Sequence, residues 1–249
     1  MKPTLEQLRA NRKDLVASEC AAHADEQWIL VTVDVEKAFL QGLSYEEIHK
    51  RTGEPLRQVY FILPTGSAAL LRRVPGFEHY DERTMCLQCL SPGTGTGDAP
   101  RAFAMKLANV TRGPSCGYKP LTFDPQTEVR HEGTTLKGVM AKHVDDMKAT
   151  GPRAEIDRMR RSIEAEFGKL DYKEGVFTCT GIRHTLAPTG DVTLDQDEYV
   201  ESLKTITHAE LVGKPAEEDT SEAVHYLFMS LSARWRTPSL PSRGAQCLR

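Results

Sequence analysis

Apolar and polar positions along this chain alternate at two rhythms, one near two residues and one near 3.6, and the changes of rhythm mark its elements. Trp28-Ile29-Leu30-Val31-Thr32-Val33-Asp34-Val35 is a short β-branched run ending on an aspartate, and Glu36 to Leu40 then lead the chain off the strand. A second apolar run, Val139-Met140-Ala141-Lys142-His143-Val144, climbs into Asp145 and Asp146 and turns back through Met147 and Lys148. That pattern predicts a β-hairpin with an acidic turn. Weaker runs predict strands over Gln58–Leu63, Met85–Leu90 and Glu128–His131.

Helices follow from caps and helical spacing. Thr4-Leu5-Glu6-Gln7 opens a capping box ahead of Leu5, Leu8, Leu15 and Val16, which predicts a helix running toward Cys20. After a turn at Gln41-Gly42, Ser44-Tyr45-Glu46-Glu47 caps a short helix through Ile48 and His49. Asp98 is placed to cap a helix carrying Phe103, Met105 and Leu107. Pro152 opens an amphipathic helix with Ile156, Met159, Ile163 and Phe167 on one face, closed by Gly168, and this helix is expected to cover the sheet.

The bulk numbers narrow the classes. A length of 249 residues suits one large domain or a compact multi-lobed one, and 39% hydrophobic residues suffice for a core. No run is long enough to span a bilayer and the N-terminus carries no signal-peptide pattern, so an intracellular protein, cytoplasmic or nuclear, is expected. The net charge of −3 argues against tight, salt-resistant nucleic-acid binding, although Lys148, Arg153, Arg158, Arg160 and Arg161 form a local basic cluster and Arg72-Arg73 a smaller one. The six cysteines are scattered, which predicts reduced thiols. Cys86-x-x-Cys89 has no second pair and only His79 upstream, so zinc is not expected. Ser91 to Asp98 is glycine-rich but lacks the Lys-Ser/Thr ending of a phosphate loop.

The acids carry the candidate chemistry. Adjacent Asp145 and Asp146 repel each other, and a site that keeps both ionised usually holds a cation. Ordinary solvated turns also use such pairs, so the acid ending the other strong strand matters. If both strands deliver carboxylates to one end of a sheet, Asp34, Asp145 and Asp146 supply an oxygen site suited to Mg²⁺. Three carboxylates are enough for a two-metal arrangement that drives in-line displacement at phosphorus.

These residues also carry a resemblance. Asp34-Val35-Glu36-Lys37-Ala38-Phe39-Leu40-Gln41-Gly42 resembles the first catalytic motif of copia-type retrotransposon reverse transcriptases, and His143-Val144-Asp145-Asp146 resembles their Tyr-Val-Asp-Asp box. Ala99-Pro100-Arg101-Ala102-Phe103 is similar to the family's Ala-Pro-Arg-x-Trp motif, and Val74 to Glu78 to its Pro-Pro-Gly-Phe-Glu loop. Phe167 to Leu170, Thr180 to Ile182 and Leu194 to Val200 match later landmarks in order, so the similarity spans about Pro3 to about Leu231.

The resemblance implies an α+β polymerase palm: an antiparallel sheet with helices on one face, partial fingers and a truncated thumb. It places the start of the palm at residues 1–40, partial fingers at 41–98, the palm with its Asp-Asp and primer-grip-like hairpins at 99–192, and the thumb at 193–231. It implies RNA-directed DNA polymerisation with two Mg²⁺ ions, or Mn²⁺, held by Asp34, Asp145 and Asp146. Phe39 would discriminate against a ribose 2′-hydroxyl, and Ala99, Pro100, Arg101 and His143 would line the substrate site. The implied partners are an RNA or DNA template with primer and deoxynucleotide triphosphates. A parent polyprotein with protease, integrase and RNase H parts is implied as well.

The chain departs from the pattern in four places. The family's upstream fingers lobe has no counterpart before Thr4. Gly97-Asp98 replaces the usual Lys-Gln, and His143 replaces Tyr, exchanging a phenol for an imidazole that titrates near neutral pH. After Leu231 the chain reads Ser232-Ala233-Arg234-Trp235-Arg236-Thr237 instead of an apolar Leu-Gly-Ala-x-x-Tyr segment. The string TCG GCG CGG TGG CGT AC encodes the observed peptide, and preceded by C and read one base earlier it gives Leu-Gly-Ala-Val-Ala-Tyr. Residues 232–249 are therefore expected to be a frameshifted, disordered tail. Two other readings stay open: a catalytically inactive remnant of the domain, and a nucleic-acid-binding module without polymerase activity.

Overall fold

A computed structural model of the protein describes residues 15–179, 181–202, 221, 222 and 224. The start of the expected N-terminal helix, part of the expected thumb and the expected frameshifted tail lie outside the described residues. The chain is mixed α and β, with antiparallel sheets and several helices.

Strand β1 (Ile29–Val35) forms where the β-branched run predicts it, and its alternation sets the two faces of the main sheet. It pairs antiparallel with β7 (Asp146–Gly151) on one side and with β8 (Leu170–Glu174) on the other. Strands β4 (Lys119–Pro120), β5 (Thr127–Glu132) and β6 (Thr135–His143) extend the sheet, whose order is β4-β5-β6-β7-β1-β8. The register of β5 against β6 shifts between Arg130 and His131. Nothing in the polar sequence of β8 announces a strand as strongly as β1 does, and the run-based reading does not include it.

One face of this sheet is covered by helices α4 (Ala99–Arg112) and α5 (Arg153–Phe167). Ile156, Met159, Ile163 and Phe167 are buried on α5 and meet Val31, Val33, Met140 and Met147 from the sheet, as the helical spacing predicts. The Phe103 and Phe167 rings, with centroids 5.4 Å apart and tilted by 55°, join the two helices. Gly168 ends α5 at φ 80°, a conformation that only glycine adopts without strain. Gly42 lets the loop after β1 approach α4, since a Cβ there would lie 2.9 Å from the Phe103 backbone nitrogen.

The opposite face is covered at one end by helix α1 (described over 15–22), which buries Val16 and Cys20. Cys20 reaches Thr150 there. Thr150 lies four positions along β7 from Asp146, about 13 Å at a strand's rise per residue. Among the described residues, Cys20, Cys86, Cys89 and Cys116 are in no disulfide.

Residues 41–98 contribute no strand to this sheet. Helix α2 (Tyr45–Thr52) begins with the predicted capping box, in which Ser44 Oγ accepts from Glu47 N and the Glu47 carboxylate accepts from Ser44 N. Strands β2 (Val59–Phe61) and β3 (Leu87–Cys89) pair as a separate two-stranded ribbon, shorter than either predicted run, and α3 (Ala68–Leu71) is a single turn between them. Asp98 corrects one expectation. It precedes α4 but makes no side-chain cap, because its carboxylate is turned onto Arg57 at 2.8 Å.

The described chain divides into two compact units. The first contains residues up to Phe177 and Thr185–Val192, and the second contains Thr178–His184 and residues from Thr193 onward. Strands β9 (Val176–Cys179), β10 (Ile182–Leu186) and β11 (Val192–Asp195) form a three-stranded sheet in the order β11-β10-β9. Helix α6 (Asp197–Ser202) follows, tied by an ion pair between Arg183 and Glu198.

Candidate active site

The hairpin and the first strand meet at one end of the main sheet. Strands β6 and β7 are joined by the two-residue turn Val144-Asp145, with His143 paired to Asp146 across it. Asp146 is in turn directly opposite Asp34 on β1, and Asp34 is directly opposite Asp171 on β8. Residues paired across antiparallel strands share a sheet face, with Cβ atoms about 4.5–5.5 Å apart. His143, Asp146, Asp34 and Asp171 therefore form one row across four adjacent strands, and Asp145 stands at the turn beside it.

This row lies on the face away from α4 and α5. The neighbouring row, Lys142–Met147–Val33–Tyr172, faces those helices. Its polar member is anchored in the interior: Lys142 Nζ donates to Glu128 Oε1 at 2.6 Å, and Arg112 Nε donates to the same oxygen at 2.6 Å. Glu128 is fully buried and Lys142 nearly so, which ties the strand that ends at His143 to its neighbour β5.

Electrostatics single out Asp34. Burial is the largest cause that pushes its carboxyl up to about 6, followed by the negative charges of Asp145, Asp146 and Asp171, while the Val35 backbone N–H acts the other way. Four carboxylates thus act on one another at this end of the sheet.

The turn carries backbone strain. Val144 sits at φ 59°, in the left-handed region where a β-branched residue is a genuine outlier. A two-residue hairpin loop favours glycine at such a position. Strain of this kind clusters at functional sites.

The donor set is all carboxylate oxygen, the chemistry that suits Mg²⁺ or Mn²⁺. Among the described residues, however, no group of three or more His, Cys, Asp or Glu side chains is gathered tightly enough to hold a metal ion. No protein-family model, characterised protein or solved structure matches the chain.

The remaining residues implied by the resemblance are dispersed. Phe39 lies in the 3-10 turn Ala38–Leu40 just after β1 and packs against the core cluster. Ala99 is buried at the start of α4, Pro100 follows it at the helix's first turn, and Arg101 is exposed. The Arg101 guanidinium is held by both oxygens of Glu54, at 2.8 and 2.5 Å. The basic cluster after the aspartates is also largely neutralised within the protein. Arg153 pairs with Glu174, Arg158 with Glu155 and Arg160 with Glu164, and Lys148 is buried.

Asp171 is the site residue that the sequence reading missed. Leu170 and Tyr172 alternate with Asp171 and Lys173, a period-two signal that was present but short.

Proposed function

We propose that the protein is a reverse-transcriptase palm, an RNA-directed DNA polymerase domain that transfers nucleotides by two-metal chemistry. The observation that supports this reading most is the register of three strands, which sets Asp34 between Asp146 and Asp171 with Asp145 at the adjoining turn. In this reading Asp34 and Asp145 hold the divalent ions and Asp146 supports them. The bound ions would lower the pKa of the primer 3′-hydroxyl and neutralise charge on the phosphates. The protein's own part is to hold the carboxylates in register. Tethering by β1 and by the β6–β7 hairpin does this, and Phe39, in the turn just after β1, packs against the core behind the sheet.

A second reading, a catalytically silent remnant, is favoured by two observations. The described side chains are not gathered as a ready metal site, and Arg101 is engaged by Glu54.

Primer extension on an RNA template with Mg²⁺ separates the two. Extension that disappears in Asp145→Asn supports the polymerase. A folded wild-type chain that extends no primer with either Mg²⁺ or Mn²⁺ supports the remnant.

A further inference from the structure

Most of the large apolar side chains that the described residues leave exposed belong to residues 40–90, and several lie on or beside the β2–β3 ribbon. Tyr60, Phe61 and Ile62 are 53%, 44% and 74% exposed at consecutive positions, so apolar surface is open on both faces of the β2 segment. On one face Phe61 stands opposite Leu87 and Val59 opposite Cys89, and on the other Tyr60 stands opposite Gln88. The two strands differ in their surroundings. The end of β3 is tied to the start of α2, where the Tyr45 N–H donates to the Leu90 carbonyl at 3.0 Å. Among the described residues, no third strand and no other backbone group meets the outer edge of β2.

An open strand edge is a template for another strand, and proteins usually blunt it with charge, proline or a bulge. Gln58-Val59-Tyr60-Phe61-Ile62-Leu63 contains no charged residue, proline or glycine. Short segments of that composition pair strand to strand. A two-stranded ribbon is also marginal by itself, and further strands are what stabilise it. A second copy of β2 fits the edge because the segment is self-complementary. Antiparallel pairing about a twofold axis at Tyr60 sets that residue opposite its own copy and Phe61 opposite Val59, an aromatic and β-branched pair of the kind that stabilises sheets. The area is sufficient. At roughly 150–250 Å² for a large side chain, Leu56, Tyr60, Phe61, Ile62, Met85 and Leu90 leave on the order of 600 Å² open per copy. Two copies reach roughly 1,200 Å², the lower bound of a specific interface, which fits a reversible dimer.

We propose that β2 is a dimerisation edge, at which the β2 strands of two copies pair antiparallel about a twofold axis and join their ribbons into one continuous sheet. The inference is independent of the polymerase reading, since no residue of the ribbon belongs to the carboxylate row.

The test is sedimentation equilibrium of the full chain over a range of protein concentrations, with amide hydrogen exchange on the same samples. The wild type is expected to show a monomer–dimer equilibrium, with exchange at Val59 to Ile62 slowing as the dimer fills. Tyr60→Lys brings like charges together across the axis and is expected to weaken the dimer roughly tenfold or more. Phe123→Lys, at an exposed apolar side chain outside the ribbon, is expected to leave it unchanged. Thermal melting confirms that both variants are folded. A monomer at every concentration would overturn the proposal. So would a dimer that survives Tyr60→Lys, or one that leaves exchange at Val59 to Ile62 unaltered. A series of oligomers larger than the dimer would also overturn it, because twofold pairing of one edge closes at two copies.

Discussion

Asp34 on β1 stands directly opposite Asp146 on β7. Burial, followed by the negative charges of Asp145, Asp146 and Asp171, makes the folded state hold a proton on Asp34 more tightly than the unfolded chain does, with a pKa of about 6 against an ordinary 3.8. The raised value means that ionised Asp34 costs stability. The native state binds more protons than the unfolded state between about pH 4 and about pH 6, so this contribution falls as pH rises through that window and stays low above it. Asp34→Asn removes the cost. Urea denaturation at pH 7.5 is expected to show the variant more stable by about 1–2 kcal/mol after allowance for solvent screening. The difference should disappear near pH 4, and an equal difference at both pH values would contradict the assignment.

Asp171 faces Asp34 from the other side and adds to its burden of negative charge. In Asp171→Asn the Asp34 carboxyl is expected to titrate lower than in wild type, read from the ¹³C shift of its carboxyl carbon across pH 3–8. An unchanged midpoint would mean that Asp171 is a bystander.

Val144 stores strain at the hairpin tip, with φ 59° on a β-branched residue. Strain of this kind costs about 1–3 kcal/mol, and glycine relieves it at some entropic expense in the unfolded chain. Val144→Gly is expected to raise the stability of the protein by about 1 kcal/mol, measured by equilibrium denaturation. Destabilisation of that size instead would show that the Val144 side chain contributes packing that outweighs the strain.

Glu128 accepts from both Lys142 and Arg112 in the interior beneath the hairpin. Removing one member of a buried pair leaves an uncompensated charge, at a cost of about 3–5 kcal/mol. Glu128→Ala is expected to lose stability on that scale. The Glu128→Ala, Lys142→Met double variant is expected to recover much of it, because Arg112 can turn to solvent while Lys142 cannot. Equal losses in the single and double variants would place the cost in packing, not charge.

Much of the first unit could be read from the chain alone, and the legible parts share a cause. β1, the β6–β7 hairpin, α2 and α5 each have a strong local signal: a β-branched run, an acidic turn, a capping box, or apolar positions at helical spacing. The failures share a cause too. Asp98 has the composition of a helix cap, but an ion pair with a residue 41 positions away overrides that local role. Arg153, Arg158 and Arg160 form part of a basic cluster in one dimension, and in three each is paired with a nearby carboxylate.

The sequence alone determined which acids were available and that two of them stood at or beside a turn, because strand and turn propensities are local. Only the tertiary structure decided that β8 enters the sheet beside β1 and brings Asp171 opposite Asp34, 137 residues away in the chain. Pairing between distant strands depends on register and on the helices packed behind them, and a short polar strand carries little of that information by itself. The proton affinity of Asp34 follows from the same assembly, since burial and three neighbouring charges exist only once the strands have paired.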